Sequence, residues 1–187
     1  MRGRPQALLA LLALLALLAL LLGVALARQP GTEAVASVEQ VAALIDQAQR
    51  QVVYVAPGLY SPPVAQALHR AAVQRGVQVL VLLEASQVNE PSSYGAALAF
   101  LAPERPLFVR VVQAVRTAPL LLLDSRVLVE GPLVAGDAFD PRPTALTRDY
   151  VRLAVEVDRF NRTWEKAGRC RPTAYLAAGE LVLRCRI

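Results

Sequence analysis

Two short β-branched segments, "VVYVA" at 52–56 and "VQVLVLL" at 77–83, are separated by one amphipathic helical stretch, and no other feature of the chain constrains its fold as tightly. "PGLYSPP" leads to Ser61 as a helix N-cap with Pro62 in the first turn. Val64, Ala67, Leu68, Ala71 and Ala72 then fall on one face, and Gly76 stops the helix. Strands joined by a helix of this length pair in parallel through a right-handed crossover. The core is therefore α/β.

Ahead of that unit, Ser37 with Gln40 forms a capping box. Val38, Val41, Leu44, Ile45 and Ala48 recur at helical spacing, which predicts a first helix over 38–50. After the unit, a loop with Pro91 leads to a short helix near 93–101, and "LFVRVV", "PLLLLD" and "VLVEG" read as three further strands. The last two meet at Asp124, Ser125 and Arg126, a composition common at hairpin tips. "AGDAFDPRPT" is dense in turn formers and reads as a loop. Tyr150, Leu153, Ala154, Val157, Phe160, Asn161 and Trp164 repeat at three and four, predicting a helix over about 147–167, although "YVRLAVEV" also alternates as a strand would. The expected architecture is a mixed, largely parallel sheet flanked by helices.

The N-terminus reads as an address rather than part of this fold. After Arg2 and Arg4 an unbroken apolar run extends from Ala7 to Ala27 and ends in the small-x-small sequence Ala25-Leu26-Ala27. Residues 1–27 are thus a signal peptide or, since roughly 20 apolar residues span a bilayer, an uncleaved membrane anchor; both readings stand. Either one implies an extracytoplasmic bacterial protein, secreted or held at the inner membrane through this segment. No cysteine follows the run, which argues against lipoprotein attachment. A polar linker over 28–36 comes next.

Cysteine usage agrees with export. Cys170 and Cys185 flank "RPTAYLAAGELVLR", where Ala178-Gly179 turns two short strands, so 169–187 reads as a C-terminal hairpin extension. In an oxidising compartment the pair closes a loop of about 15 residues, a stabilisation of roughly 3 kcal/mol. Two reduced, buried thiols are the alternative. Two cysteines and one distant histidine do not supply a zinc ligand set, and neither a metal nor another cofactor is expected. The formal net charge of +5 includes two arginines of the leader, and Lys166 is the only lysine. This mild basicity gives weak support to anionic lipid or nucleic acid as a partner.

The order of elements and several local strings resemble the phospholipase D superfamily. "AALIDQAQRQVVYVAPGLYSPPVAQALHRAAVQRGVQVLVLLE" is similar to its opening, with Arg75, Gly76 and Val77 entering the second strand. "PLLLLDSRVLVEG" is similar to its catalytic hairpin, and "RFNRTWEKA", with Phe160 and Trp164, to its closing helix. The resemblance covers 38–168 and implies a phospholipase D-like half-domain over 37–168. It also implies pairing of two half-domains through a sheet edge, hence a homodimer.

In that family the hairpin carries His-x-Lys-x-x-x-x-Asp. The histidine attacks a phosphodiester to form a phosphohistidine, and the lysine holds the phosphate oxygens. Setting Asp124 on the family's aspartate places Thr117 at the histidine position and Pro119 at the lysine position. After Gly131, where the family has Ser-x-Asn, this chain has Pro132, Leu133 and Val134. The motif is degenerate at every residue that would touch phosphate.

Few substitutes are in sight. His69, the only histidine, falls on the second helix, and a partly exposed surface side chain is its ordinary fate. Glu84 and Asp124 both stand at predicted strand ends and are expected at one rim of the sheet, as solvated or capping groups or as an acid–base pair. Of Tyr54, Tyr60, Tyr94, Phe100 and Phe108, core packing claims most, and Tyr60 is the expected groove residue. The sequence points to a non-catalytic binding or scaffolding module at the cell envelope, with Tyr60, Glu84 and Asp124 as candidate binding residues. Two alternatives stay open: a phosphodiesterase or nuclease with a relocated site using His69, and an envelope nucleic-acid-binding protein.

Overall fold

The computed structural model describes residues 31–101 and 106–186; the apolar leader and residues 28–30 of the linker stretch lie outside them. Among the described residues no helix is long and apolar enough to cross a membrane. The strands are β1 (Glu33–Val35), β2 (Gln51–Val55), β3 (Gln78–Glu84), β4 (Leu107–Val112), β5 (Leu120–Leu123), β6 (Val127–Glu130), β7 (Thr144–Thr147), β8 (Gly168–Arg169), β9 (Arg171–Ala177) and β10 (Glu180–Arg186). The helices are α1 (Val38–Gln47), α2 (Pro62–Val73), α3 (Gly95–Leu101), α4 (Pro132–Ala135) and α5 (Tyr150–Lys166).

Eight strands form one mixed sheet in the order β1-β7-β6-β5-β2-β3-β4-β8. Its parallel part is the β2–β3–β4 core, built by the crossover that the sequence predicts. The strands added on either side run antiparallel, because β5, β6 and β7 follow one another through short returns and β1 and β8 close the edges. Within the stretch read as a linker, Glu33–Val35 is an edge strand on β7. Within the stretch read as a loop, Thr144 begins β7 itself. Residues 150–157 are helical: Asp149 caps α5 by accepting from the backbone N–H of Val151 and Arg152.

Alternation along the strands sorts the core into two layers. Val52, Tyr54, Val79, Val81, Leu121 and Leu123 face α1 and α2, meeting Val41, Ile45, Val64 and Leu68. Val53, Val55, Leu82, Leu120 and Leu122 face the other way, meeting Leu153 and Phe160 of α5. The Arg75-Gly76-Val77 string acquires a physical meaning here. Gly76 takes the left-handed φ of +67° that ends α2, and its N–H and that of Val77 bond to Ala72 and Ala71. The Arg75 guanidinium donates to the carbonyls of Ile45, Asp46 and Ala48, satisfying the free acceptors at the end of α1.

β9 and β10 form a separate two-stranded ribbon, closed at its base by the Cys170–Cys185 disulfide with Cα atoms 5.0 Å apart. Asn89 supports the same point, donating to the Cys185 carbonyl at 3.1 Å and accepting from its N–H at 2.7 Å. Replacing both cysteines by serine should lower stability by about 2–4 kcal/mol, the range for a closed loop of this size. Urea denaturation of the full chain measures it. A loss below about 0.5 kcal/mol would show that Asn89 alone suffices to hold the base.

Candidate functional site

β2, β3 and β4 all deliver their C-terminal ends to one rim of the sheet, while β5 begins and β6 ends there. The loops meeting at this rim are bound to one another. Glu84 Oε1 accepts from the Val115 N–H at 2.8 Å, fixing the loop that precedes β5. Pro119 accepts from the Gly131 N–H at 2.9 Å, and Ala135 from the Tyr60 N–H at 2.9 Å. Gly131 and Gly136 carry φ of +140° and +90°. A Cβ on them would lie 2.6 Å from Thr144 and from Ser61, respectively, so only glycine permits this approach.

These loops enclose an open cavity of about 790 Å³ lined by Pro57, Tyr60, Ser92, Arg116, Thr117, Pro119, Pro132, Asp137, Asp140 and Arg142. Thr117 and Pro119, the positions aligned with the histidine and lysine, therefore do lie in the cleft. The Thr117 hydroxyl is buried and has no hydrogen-bond partner among the described residues. Tyr60 closes one side, its hydroxyl donating to Gln87 and to Glu90. Burial, followed by the charge of Glu90 and its hydrogen bond, pushes this phenol up to about 12, so Tyr60 is a neutral donor at physiological pH. On the other side the Arg142 guanidinium grips Asp140, which with the Arg142 backbone N–H holds the Asp140 carboxyl at about 2. Asp137 accepts from the N–H groups of Phe139 and Asp140, shaping the loop that carries both.

Asp124 is elsewhere. β5 runs antiparallel to β2, so its C-terminal end lies beside the start of β2, and Asp124 sits at the rim opposite Glu84. The expectation that these two carboxylates share a rim is thus corrected by strand direction. Five extended residues, about 17 Å, separate Asp124 from Pro119. The Asp124 carboxylate instead accepts from the backbone N–H groups of Gln49 (3.0 Å), Arg50 (2.8 Å) and Gln51 (2.9 Å). Burial pushes its pKa up, but these three bonds and the Arg126 charge outweigh that and hold it below the ordinary carboxylate value.

His69 is half-buried on α2 beside Gln66, Arg70, Tyr94, Leu98 and Leu101, in a cavity that shares no lining residue with the Thr117 cleft. Tyr54 is fully buried, with its hydroxyl on the Gly58 carbonyl at 3.0 Å. Tyr94 lines the His69 cavity, and Phe108 lies beside β8 and Cys170. Of the five aromatic residues, Tyr60 is the one that lines the strand-end cleft. Arg116, Asp137, Asp140 and Arg142 escaped sequence reasoning. Their signal was positional, since a hairpin that returns the chain to the rim at Gly131 must place the following residues there. Among the described residues no cluster of His, Cys, Asp or Glu could hold a metal ion.

A β–α–β core, an antiparallel hairpin beside it and a helix across the far face make up a fold shared with a phospholipase D family member. Nuc from Salmonella typhimurium, a phospholipase D family member, matches with a TM-score of 0.61 at 16% identity over 76% of this chain and 99% of its own. NucT from Helicobacter pylori matches at 0.59 and 13% identity over 75% of this chain and 98% of its own. TrmBL2, an archaeal chromatin protein whose structure shows a novel mode of DNA binding, matches at 0.52 and 18% identity over 88% of this chain and 64% of its own. No protein-family model and no curated protein sequence matches the chain.

Asp124→Ala should cost about 1–3 kcal/mol at neutral pH, because three N–H groups at the entry to β2 lose their acceptor. A carboxylate with a lowered folded pKa contributes stability above its unfolded value of about 3.9 and loses it as pH falls through the folded value. The difference between the parent and Asp124→Ala should therefore be full at about pH 7 and smaller at about pH 3, below the unfolded value. Urea midpoints at both pH values check this, and a gap that stays constant would show that the charge is irrelevant.

Proposed function

We propose that this chain is an exported, non-catalytic binding or scaffolding module of the bacterial envelope, using a phospholipase D-like cleft to hold a ligand. The composition of the cleft carries this reading: Thr117 and Pro119 stand in it, and none of its described lining residues is a histidine, lysine or cysteine. Phosphodiester cleavage by this fold needs an imidazole nucleophile and a cation on the phosphate. Threonine could replace the first only with a positioned base, and among the described residues the Thr117 hydroxyl has no partner. Proline supplies neither charge nor N–H. What the cleft retains is a binder's inventory: the Tyr60 ring, Arg116 as a cation, and the Arg142–Asp140 pair beside Asp137.

A second reading, nucleic-acid binding at the envelope, draws on the likeness to TrmBL2 and on Arg116, Arg142 and Arg152 around one rim. Salt separates the two, since contact with several phosphates gives a log-affinity slope of roughly one per phosphate against log salt.

The deciding experiment is turnover of bis(p-nitrophenyl) phosphate by the full chain, purified under oxidising conditions, beside its His69→Ala variant. Neither protein should hydrolyse it. Hydrolysis lost in His69→Ala would overturn the proposal in favour of a relocated site. Hydrolysis kept in that variant would overturn it in favour of catalysis without an imidazole.

A further inference from the structure

We propose that the C-terminal ribbon of β9 and β10 is a membrane-docking element that lays one face on an anionic lipid surface, independently of what the cleft binds. Residues paired across an antiparallel ribbon share a face, and successive pairs alternate. The register pairs Leu176 with Leu181, Ala174 with Leu183, and Pro172 with Cys185 on one face. On the other it pairs Ala177 with Glu180, Tyr175 with Val182, Thr173 with Arg184, and Arg171 with Arg186. One face is thus wholly apolar. The other carries three arginines and one carboxylate.

The apolar face begins inside the protein and ends outside it. At the base Cys185 is 5% exposed, packed with the layer that contains α1 and α2. Two rungs further out Leu183 is half-buried, and beyond it Leu176 and Leu181 are 75% and 63% exposed. The ribbon therefore overhangs the domain with its leucines uncovered. A two-stranded ribbon is marginal in water by itself, and the disulfide and Asn89 hold only its base. On the polar face the Arg184 guanidinium lies over the Tyr175 ring, 5.8 Å from its centre.

Charge and area together favour lipid as the occupant. An apolar face backed by a basic one is the pattern of elements that lie in a bilayer interface, sunk by about 5–10 Å. The Leu176–Leu181 rung stands three residues from Arg184, about 10 Å along the strand. Arginine stems can therefore reach around the ribbon to anionic headgroups while the leucines enter the acyl boundary. Glu180, the one acidic group of β9 and β10, falls on the polar face and points away from the lipid. A second protein copy is a poorer occupant, because the uncovered apolar rung is Leu176 and Leu181 alone, far short of the roughly 800 Å² that each stable partner buries.

The test uses the full chain reconstituted into vesicles of phosphatidylglycerol and phosphatidylcholine, some carrying brominated acyl chains. Trp164 is the only native tryptophan, so Leu176→Trp adds one reporter at the ribbon and the parent chain supplies the background. A reporter at this position reads the ribbon alone, whatever the N-terminal segment does. The added emission should shift to the blue and be quenched by bromolipid several-fold more than that of Trp164. Adding Arg184→Glu with Arg186→Glu, or using pure phosphatidylcholine, should remove that quenching. Water-exposed, unquenched emission in anionic vesicles overturns the proposal. So does a concentration-dependent blue shift without lipid, which would identify a second copy as the occupant.

Discussion

The carboxylate of Asp124 fastens the β5–β6 hairpin to the sheet, and the position of everything at the far rim follows from it. Three backbone N–H groups at the entry to β2 converge on it, in charge-assisted bonds stronger than neutral ones. The turn itself is costly, with Asp124 and Ser125 at φ of +53° and +54°. Those bonds offset the strain. Because β5 is pinned at this end and paired on both sides, its other end has no freedom, and Thr117 and Pro119 sit where strand length puts them. The aspartate is thus an architectural group, and its presence in the hairpin carries no information about catalysis.

The cleft at the opposite rim is lined by Tyr60, Arg116, Thr117, Asp137, Asp140 and Arg142 among others. Two of its polar groups are held by hydrogen bonds to side chains: Tyr60 by Gln87 and Glu90, and Arg142 by Asp140. A phosphoryl-transfer site needs groups poised to change protonation or charge during the reaction. Here Tyr60 stays protonated and Asp140 stays ionised across the physiological range. Such a site can orient a ligand.

The β2–α2–β3 unit, the β5–β6 hairpin and the disulfide-closed ribbon were legible in the sequence because each is governed by local periodicity, caps or cysteine placement. The edges were not. Glu33–Val35 and Thr144–Thr147 are short stretches with no pattern of their own; Thr144–Thr147 becomes a strand by pairing with β6, and Glu33–Val35 by pairing with it in turn. The shared rim for Glu84 and Asp124 failed for a different reason: periodicity marks where a strand lies but not which way it runs against a neighbour distant in sequence. The Asp137–Arg142 loop was opaque likewise, since its location depends on the Gly136–Ser61 contact, a tertiary event without a local signature.

That contact, together with the one between Gly131 and Thr144, also governs how this cleft could change over evolutionary time. Both ends of the 131–136 return are seated against neighbours with no room for one more carbon. A sequence drifting toward another ligand cannot reshape the wall by lengthening or rerouting this stretch without unseating β7 or the start of α2. The adjustable parts are the side chains on the wall and the free loop that follows it. Diversification of such a cleft should therefore proceed by exchanging groups within a fixed outline, which makes its volume more heritable than its chemistry.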